Sequence, residues 1–456
     1  MDLSFNMLKC IRIRAIIILA LAFMFLLPTW RHVAAANLIR DTEIENTIRH
    51  FSTPLFEAAG LRSSDIDLFI ISDPALNAFV AGGMNLFIHS GLLMRVKDAN
   101  QLIGVLAHET GHISGGHLVR FSKQIETGNT AAMLATVLGV VTAIASGNAG
   151  AGMAVAQGGQ GLAVGSLLNY SRAQESAADQ AGLELLDRTG QSALGMRSFF
   201  GAIEDQELLA STRQDAYVRT HPITRNRMRH VDSHLKKSRY TRTPPPPEHA
   251  KKFKRMQAKL FAFIKPVHQT FARYKKTDSA IAARYARAIA YYRLADLKQG
   301  IPLIDGLIKA EPKNPYFYEM KGQMLFETGR IRDSIVPYTK AIQISPNAPL
   351  IRIGLARAQL ESNDAALVKK AISNLLLTTQ ANPNSAFAWS QLAVAYGRNG
   401  QLGFAALALA EAALIRGHPK DARYHIWRAE KKLVKGSAGW VRAQDIKRTL
   451  RTMGAN

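Results

Sequence analysis

The sequence of 456 residues predicts a mostly helical α+β domain with a small sheet, followed by an all-α superhelix of stacked helix pairs. Three observations carry this reading. Two short apolar runs, residues 67–72 and 84–89, read as strands inside an otherwise helix-periodic first half. Pro244-Pro245-Pro246-Pro247 is a stiff, extended stretch and the clearest boundary. Beyond it, Pro312, Pro346, Pro383 and Pro419 recur at intervals of 34, 37 and 36 residues, which suits helix–turn–helix units. The expected division is a signal peptide at 1–36, a first domain at 37–243, a proline-rich and basic helical linker at 244–277 and a repeat domain at 278–456. With 47% apolar residues the mature chain can bury at least two cores.

The chain opens with Lys9, Arg12 and Arg14, then an apolar run from Ala15 to Leu27, then Pro28 and the small-residue site Ala34-Ala35-Ala36. That order is a secretory signal peptide, too short in its apolar core for a comfortable membrane span. Export to the periplasm is the expectation, with a peripheral membrane contact allowed; an uncleaved N-terminal anchor is the alternative, because Arg31 and His32 interrupt the run to the cleavage site. Cys10, the only cysteine, precedes the apolar core, so the mature chain would hold neither disulfides nor cysteine ligands.

Residues 38–62 read as a helix, and residues 77–83 connect the two strands. The next helix begins at Asp98, whose pairing with Gln101 reads as a capping box, and Leu102, Val105, Leu106 and Ile113 recur along it at helical spacing. It carries His108-Glu109-Thr110-Gly111-His112. Residues four apart share a helix face, so His108 and His112 can offer two imidazole nitrogens to one tetrahedral zinc, while the Glu109 carboxylate beside them can take a proton. This is the H-E-x-x-H signature of zinc peptidases. The bland alternative is a solvated polar face, and a third ligand is required to set it aside.

His117 falls one residue short of a third-histidine pattern and reads as a packing residue on a second face of the helix. Glu175, in Ser171-Arg172-Ala173-Gln174-Glu175-Ser176-Ala177-Ala178-Asp179, is the better third ligand. Asp179, four residues on, could accept a hydrogen bond from the far nitrogen of a zinc histidine and fix its tautomer. Between the second and third ligands, residues 127–171 hold 45 positions without a charge, apolar and then glycine-rich. A lid over the cleft is expected there, with a bilayer hairpin as the alternative.

H-E-x-x-H followed by E-x-x-A-D resembles the zinc metallopeptidase family that includes CAAX prenyl proteases, HtpX and Oma-type proteases. The resemblance implies a zincin fold with one Zn2+ per chain, His108, His112 and Glu175 as its ligands and Glu109 as the general base. In similar peptidases a strand such as 84–89 borders the cleft and pairs by its edge with an extended substrate. Thr220-His221-Pro222-Ile223-Thr224-Arg225-Asn226-Arg227 resembles the family's H-P-x-T-x-x-R segment. In repeat-bearing relatives the corresponding histidine can occupy the fourth zinc position, so the resemblance implies His221 as a regulatory ligand. Arg227 is read as a surface arginine, with oxyanion stabilisation as the alternative.

The formal charge of +24 is uneven: 19 Lys and Arg against 19 Asp and Glu in 37–243, but 35 against 14 in 244–456. Residues 219–276 hold 17 basic and 2 acidic side chains, interleaved with Phe253, Leu260, Phe261 and Phe263. An exported protein rarely meets nucleic acid, so anionic lipid or an acidic partner protein is the expected contact, or else a solvated charged face. In the repeats, Tyr318, Gly322, Leu325, Gly329, Tyr338, Ala341 and Pro346 occupy tetratricopeptide consensus positions, as do Trp389, Leu392, Tyr396, Gly400, Ala405 and Ala412, with Asn363 near an expected glycine. Stacked helix pairs make a concave groove for a protein partner. With such a tail, the resemblance implies quality control of misassembled outer-membrane β-barrel proteins and docking on the barrel-assembly machinery. A periplasmic chaperone or scaffold with a gated or silent zinc site is the alternative.

Overall fold

The computed structural model describes residues 38–82, 84–117, 171–208 and 214–452. The expected signal peptide and, apart from Ser171, the uncharged segment lie outside the described residues. The described residues all belong to one compact unit. No helix among the described residues is long and apolar enough to cross a membrane.

Four short strands make the sheet: β1 (Leu38–Ile39), β2 (Asp67–Ile71), β3 (Ala78–Ala81) and β4 (Asn85–His89), in the order β1-β2-β4-β3. β4 runs parallel to β2 and antiparallel to β3, while β1 pairs antiparallel with β2. The period of two sorts the side chains. Ile70, Val80, Leu86 and Ile88 enter the main core, and Phe69, Phe79 and Phe87 stack 5.0 Å apart on the other face.

Two expectations are corrected here. Leu38 and Ile39 are not helical but pair with Ile71 and Ile70, and Asp41 then caps α1 (Thr42–Ala58) by accepting from the Ile44 amide. β4 is hydrogen-bonded on both sides, so it has no edge to offer a substrate; among the described residues the edge strand beside it is β3, at a place the sequence reads as a connection. Its four residues are bounded by Gly82 at φ +59°, a turn conformation that glycine adopts without steric strain.

After β4 come α2 (Ser90–Arg95) and α3 (Ala99–Ser114), then α4 (Arg172–Arg188), α5 (Leu194–Ile203), α6 (Ala216–Thr220), α7 (Arg225–Lys237), α8 (Pro247–Ile264) and α9 (Val267–Arg273). The cap at Asp98 accepts from the Gln101 amide as expected, but the Gln101 side chain reaches back to the Lys97 amide rather than to Asp98. Ile48, Phe51 and Leu55 of α1, Leu102, Val105 and Leu106 of α3, Leu183 and Leu186 of α4 and Phe199 and Phe200 of α5 fill the main core. Full burial of each such side chain stabilises by roughly 1.5–3 kcal/mol.

Residues 244–277, expected as a linker, contain α8 and α9, and α8 has a side in two cores. Its Phe253, Met256 and Leu260 join the main core, while Ala258 and Ala262 pack with Tyr285, Ile289 and Phe317 of the repeats. The basic belt is accordingly not all surface. Phe253 and Leu260 are buried, and Arg227, Arg255 and Lys259 turn inward to carboxylates.

Five helix pairs follow: α10 (Ile281–Arg293) with α11 (Leu297–Ala310), α12 (Pro315–Glu327) with α13 (Ile331–Ile344), α14 (Pro349–Glu361) with α15 (Ala365–Ala381), α16 (Ala386–Arg398) with α17 (Leu402–Ile415), and α18 (Pro419–Glu430) with α19 (Ala438–Thr452). Within the first four pairs the turn holds Ala295, Gly329, Asn363 and Gly400 in the left-handed region, so Asn363 does stand for the expected glycine. Tyr338 wedges between Gly322 and Gly354; a Cβ on either would come within 2.8 Å of its ring.

Candidate metal centre

α3 and α4 cross closely because their contact is glycine. A Cβ at Gly111 would stand 2.5 Å from the Ala178 carbonyl, and one at Gly182 would stand 3.1 Å from the Ala107 carbonyl. That approach brings the first turn of α4 to the last turns of α3. Ser171 and Gln174 form a complete capping box there, fixing where α4 starts and hence where Glu175 points.

His108, His112, Glu175 and His221 converge, each offering one donor atom, with all of these atoms within 4.8 Å of one another. His112 Nε2 lies 3.1 Å from His108 Nε2 and 3.2 Å from Glu175 Oε1; His221 Nδ1 lies 3.3 Å from His108 Nε2 and 2.9 Å from Glu175 Oε1. A tetrahedral ion with bonds of ~2.0–2.1 Å sets its donors about 3.3 Å apart. Three imidazoles and a carboxylate facing one point at this spacing, all essentially excluded from water, fit a divalent ion of the zinc type.

The far side of each group is also held. His108 Nδ1 donates to Asp179 Oδ1 at 2.8 Å, which leaves Nε2 as the lone pair facing the centre. Burial works against charge on His108, but Glu175 and Asp179 outweigh it and raise its pKa to about 9. Burial likewise opposes ionisation of Glu175 and Asp179; His221 and His108 hold Glu175 well below the usual carboxylate range, and Arg227 with His108 holds Asp179 down.

Glu109 is fully buried, and among the described residues neither of its carboxylate oxygens accepts a hydrogen bond. It lies 3.5 Å from His221 Nε2, and burial raises its pKa. A carboxylate kept dry and close to a metal position can take up a proton. His221 is at the C-terminal end of α6, its amide donating to the Tyr217 carbonyl, its ring stacked on that of Tyr217 at 4.7 Å. Pro222 follows, so the chain leaves the helix there.

Three placements differ from the sequence reading or were missed by it. Arg227 is no surface residue: it is 3% exposed, with Nε and Nη2 on Asp179 at 2.6 and 2.8 Å and Nη1 on Glu175 at 2.6 Å. The surface reading failed because arginine is rarely buried; Arg227 shares the inward face of α7 with Val231, four residues on. His117 packs, as expected, but α3 ends at Ser114, and the turn at Gly115 and Gly116 returns its ring to lie with Nδ1 3.0 Å from His112 Nδ1. Gly115 is required there, since a Cβ would come within 2.5 Å of that ring. Tyr217 was not singled out; its spacing of four from His221 was the available signal.

Residues 39–235 match the model of peptidase family M48. The chain is similar to the beta-barrel assembly-enhancing protease of Yersinia pestis, 23% identical over 380 residues, covering 80% of this chain and 75% of that protein. It is equally similar to the protein of that name from Escherichia coli strain K12, 23% identical over 368 residues, covering 79% and 73%. Among solved structures, YrrB, a TPR protein with an unusual peptide-binding site, is 19% identical and matches 40% of this chain and 91% of its own, with a TM-score of 0.32. That superposition is too loose to argue from, and the repeat architecture rests on the helix pairs themselves. Family match, similarity over about four fifths of the chain and the converging donor set agree: the chain is a metallopeptidase, and its residues 39–235 match peptidase family M48.

Proposed function

We propose that the protein is an exported zinc endopeptidase that degrades unfolded or misassembled envelope proteins, outer-membrane β-barrel proteins above all, with its repeats docking a protein partner such as the barrel-assembly machinery. The convergence of His108, His112, Glu175 and His221 beside the buried Glu109 is the observation that carries this reading. In it, His108, His112 and Glu175 hold one Zn2+, and His221 fills the fourth position as a regulatory ligand. The ion supplies Lewis acidity toward the scissile carbonyl.

Glu109 accepts the proton of the attacking water at its carboxylate and passes it to the leaving amine; its dry surroundings favour the protonated form it must visit. Asp179 fixes the tautomer of His108, and Arg227 keeps Asp179 ionised and holds Glu175 in place beside it. The extended substrate runs along β3, beside α3. The similarity to beta-barrel assembly-enhancing proteases supports the substrate class.

A gated scaffold is the second reading, favoured by one observation: His221 already sits among the ligands, its ring backed by Tyr217. Degradation of an unfolded model protein by the purified zinc-loaded chain tests both. We expect Glu109→Gln to abolish cleavage while retaining zinc, and His221→Ala to raise cleavage several-fold. Zinc-loaded His221→Ala without activity would sink the peptidase mechanism and leave the scaffold; cleavage that survives in Glu109→Gln would remove Glu109 as the base.

A further inference from the structure

We propose a second metal site, distinct from the first, in which His50, Glu248 and His249 bind a divalent transition cation of the zinc type and fasten α1 to the first turn of α8. The three residues each offer one donor atom within 4.8 Å of the others, the only such group among the described residues besides the metal centre. They come from segments nearly 200 residues apart in sequence. His50 lies on α1, and Glu248 and His249 lie directly after the tetraproline run.

The geometry goes beyond an ion pair. His50 Nε2 stands 3.4 Å from Glu248 Oε1, close to the separation of about 3.3 Å that a tetrahedral zinc imposes on two of its ligands. The His249 ring meets the His50 ring edge-on at 5.3 Å and packs against Phe51 at 5.1 Å, so its position is fixed from two sides. His50 Nε2 and His249 Nδ1 are shielded from water, and among the described residues neither makes a hydrogen bond. An ion pair between His50 and Glu248 would leave His249 Nδ1 unexplained, whereas a cation employs both nitrogens and the carboxylate. Burial lowers the pKa of both histidines, so their lone pairs are available at neutral pH.

The two histidines border a cavity of about 230 Å³, lined also by Gly190, Gln191, Pro245 and Pro246. It leaves room for water as a fourth ligand, the arrangement of three protein ligands and one open position that zinc accepts. Glu248 is in the first turn of α8, on the side of the site that faces the proline run. The consequence is mechanical: the cation pins the proline run to the metallopeptidase just before α8 enters both cores.

Zinc content after dialysis of the full chain against micromolar free zinc tests the site without reference to activity. We expect two zinc ions per chain in the parent and one fewer in His50→Gln and in His249→Gln, each checked by circular dichroism for an unchanged fold. Added zinc should raise the unfolding midpoint of the parent and of His108→Ala, but to a smaller extent in His249→Gln. Glu248→Gln, at an exposed position, should weaken retention of the second ion by roughly tenfold or more while leaving packing intact. Equal zinc content in the parent and all three of these rim variants would overturn the proposal. Loss of the first ion alone, in His108→Ala, bears on the metal centre and leaves this site standing.

Discussion

The Arg227 guanidinium directs all three of its nitrogens at the metal centre, gripping Asp179 with two and Glu175 and the Pro222 carbonyl with the third, while its plane lies 4.9 Å from the Phe200 ring. An apolar residue there would strip two buried carboxylates of their arginine partner, at a cost of about 3–5 kcal/mol. We expect Arg227→Leu to lose most of its stability in urea and its zinc with it. Arg227→Lys keeps the charge but not the fork, so it should fold yet release zinc to a chelator faster than the parent. Gly111→Ala touches no proposed ligand, but its methyl would press on the Ala178 carbonyl and push α4 off α3. That displacement separates Glu175 from the histidines, and the expected result is zinc loss with most helix content retained. His108, His112, Glu175 and Asp179 could be read from spacing because each sits at helical register with another; Arg227 could not, since its partners are 48 and 52 residues away and lie on a different helix.

α1, α8 and α12 meet along a buried ionic seam. Lys259 faces Asp41 at 2.7 Å, Glu43 at 3.6 Å and Glu319 at 3.9 Å, and Arg255 pairs with Glu43 and Glu311. Four carboxylates around two cations leave an excess of negative charge. Burial, opposed by Lys259 but aided by Asp41 and Glu43, accordingly raises the Glu319 pKa from 4.5 to about 8. A carboxyl whose pKa is raised by folding contributes stability that is full below 4.5 and is lost as pH rises through about 8, because the folded state binds the proton more tightly. The unfolding free energy should fall between pH 5 and 8 in the parent, and Glu319→Gln, which stays neutral, should flatten that slope; an unchanged slope would exclude Glu319 as its source. None of this seam was visible in the sequence, where these residues are ordinary charges on amphipathic helices. What could be read at this scale was the helices with caps and the turns between pairs, down to Asn363. β3 could not, since four residues between Asn77 and the glycines give too little alternation to separate a strand from a turn.

Viewed over its whole length, the chain is held together by α8. Gln257 donates to the carbonyls of Leu93, Met94 and Val96 at the end of α2, Phe253, Met256 and Leu260 complete the metallopeptidase core, and Ala258 and Ala262 face the first repeat. The tetraproline run ends at the N-terminus of this helix, which is why composition marks a boundary where packing does not: prolines stop one helix and start the next whether or not a domain ends between them. A chain ending at Thr243 would therefore expose the sites of three large apolar side chains worth roughly 1.5–3 kcal/mol each. That loss is comparable with the ~5–15 kcal/mol that keeps a whole domain folded. We expect a protein of residues 37–243 to be aggregated or molten by near-ultraviolet circular dichroism and to bind zinc poorly. Extension to Arg273 restores α8 and α9 and should recover a cooperative transition and zinc binding at the first centre, even without the repeats. A cooperative, zinc-binding 37–243 fragment would show that α8 decorates the metallopeptidase rather than completing it, and the repeats would then be joined to it by a true linker.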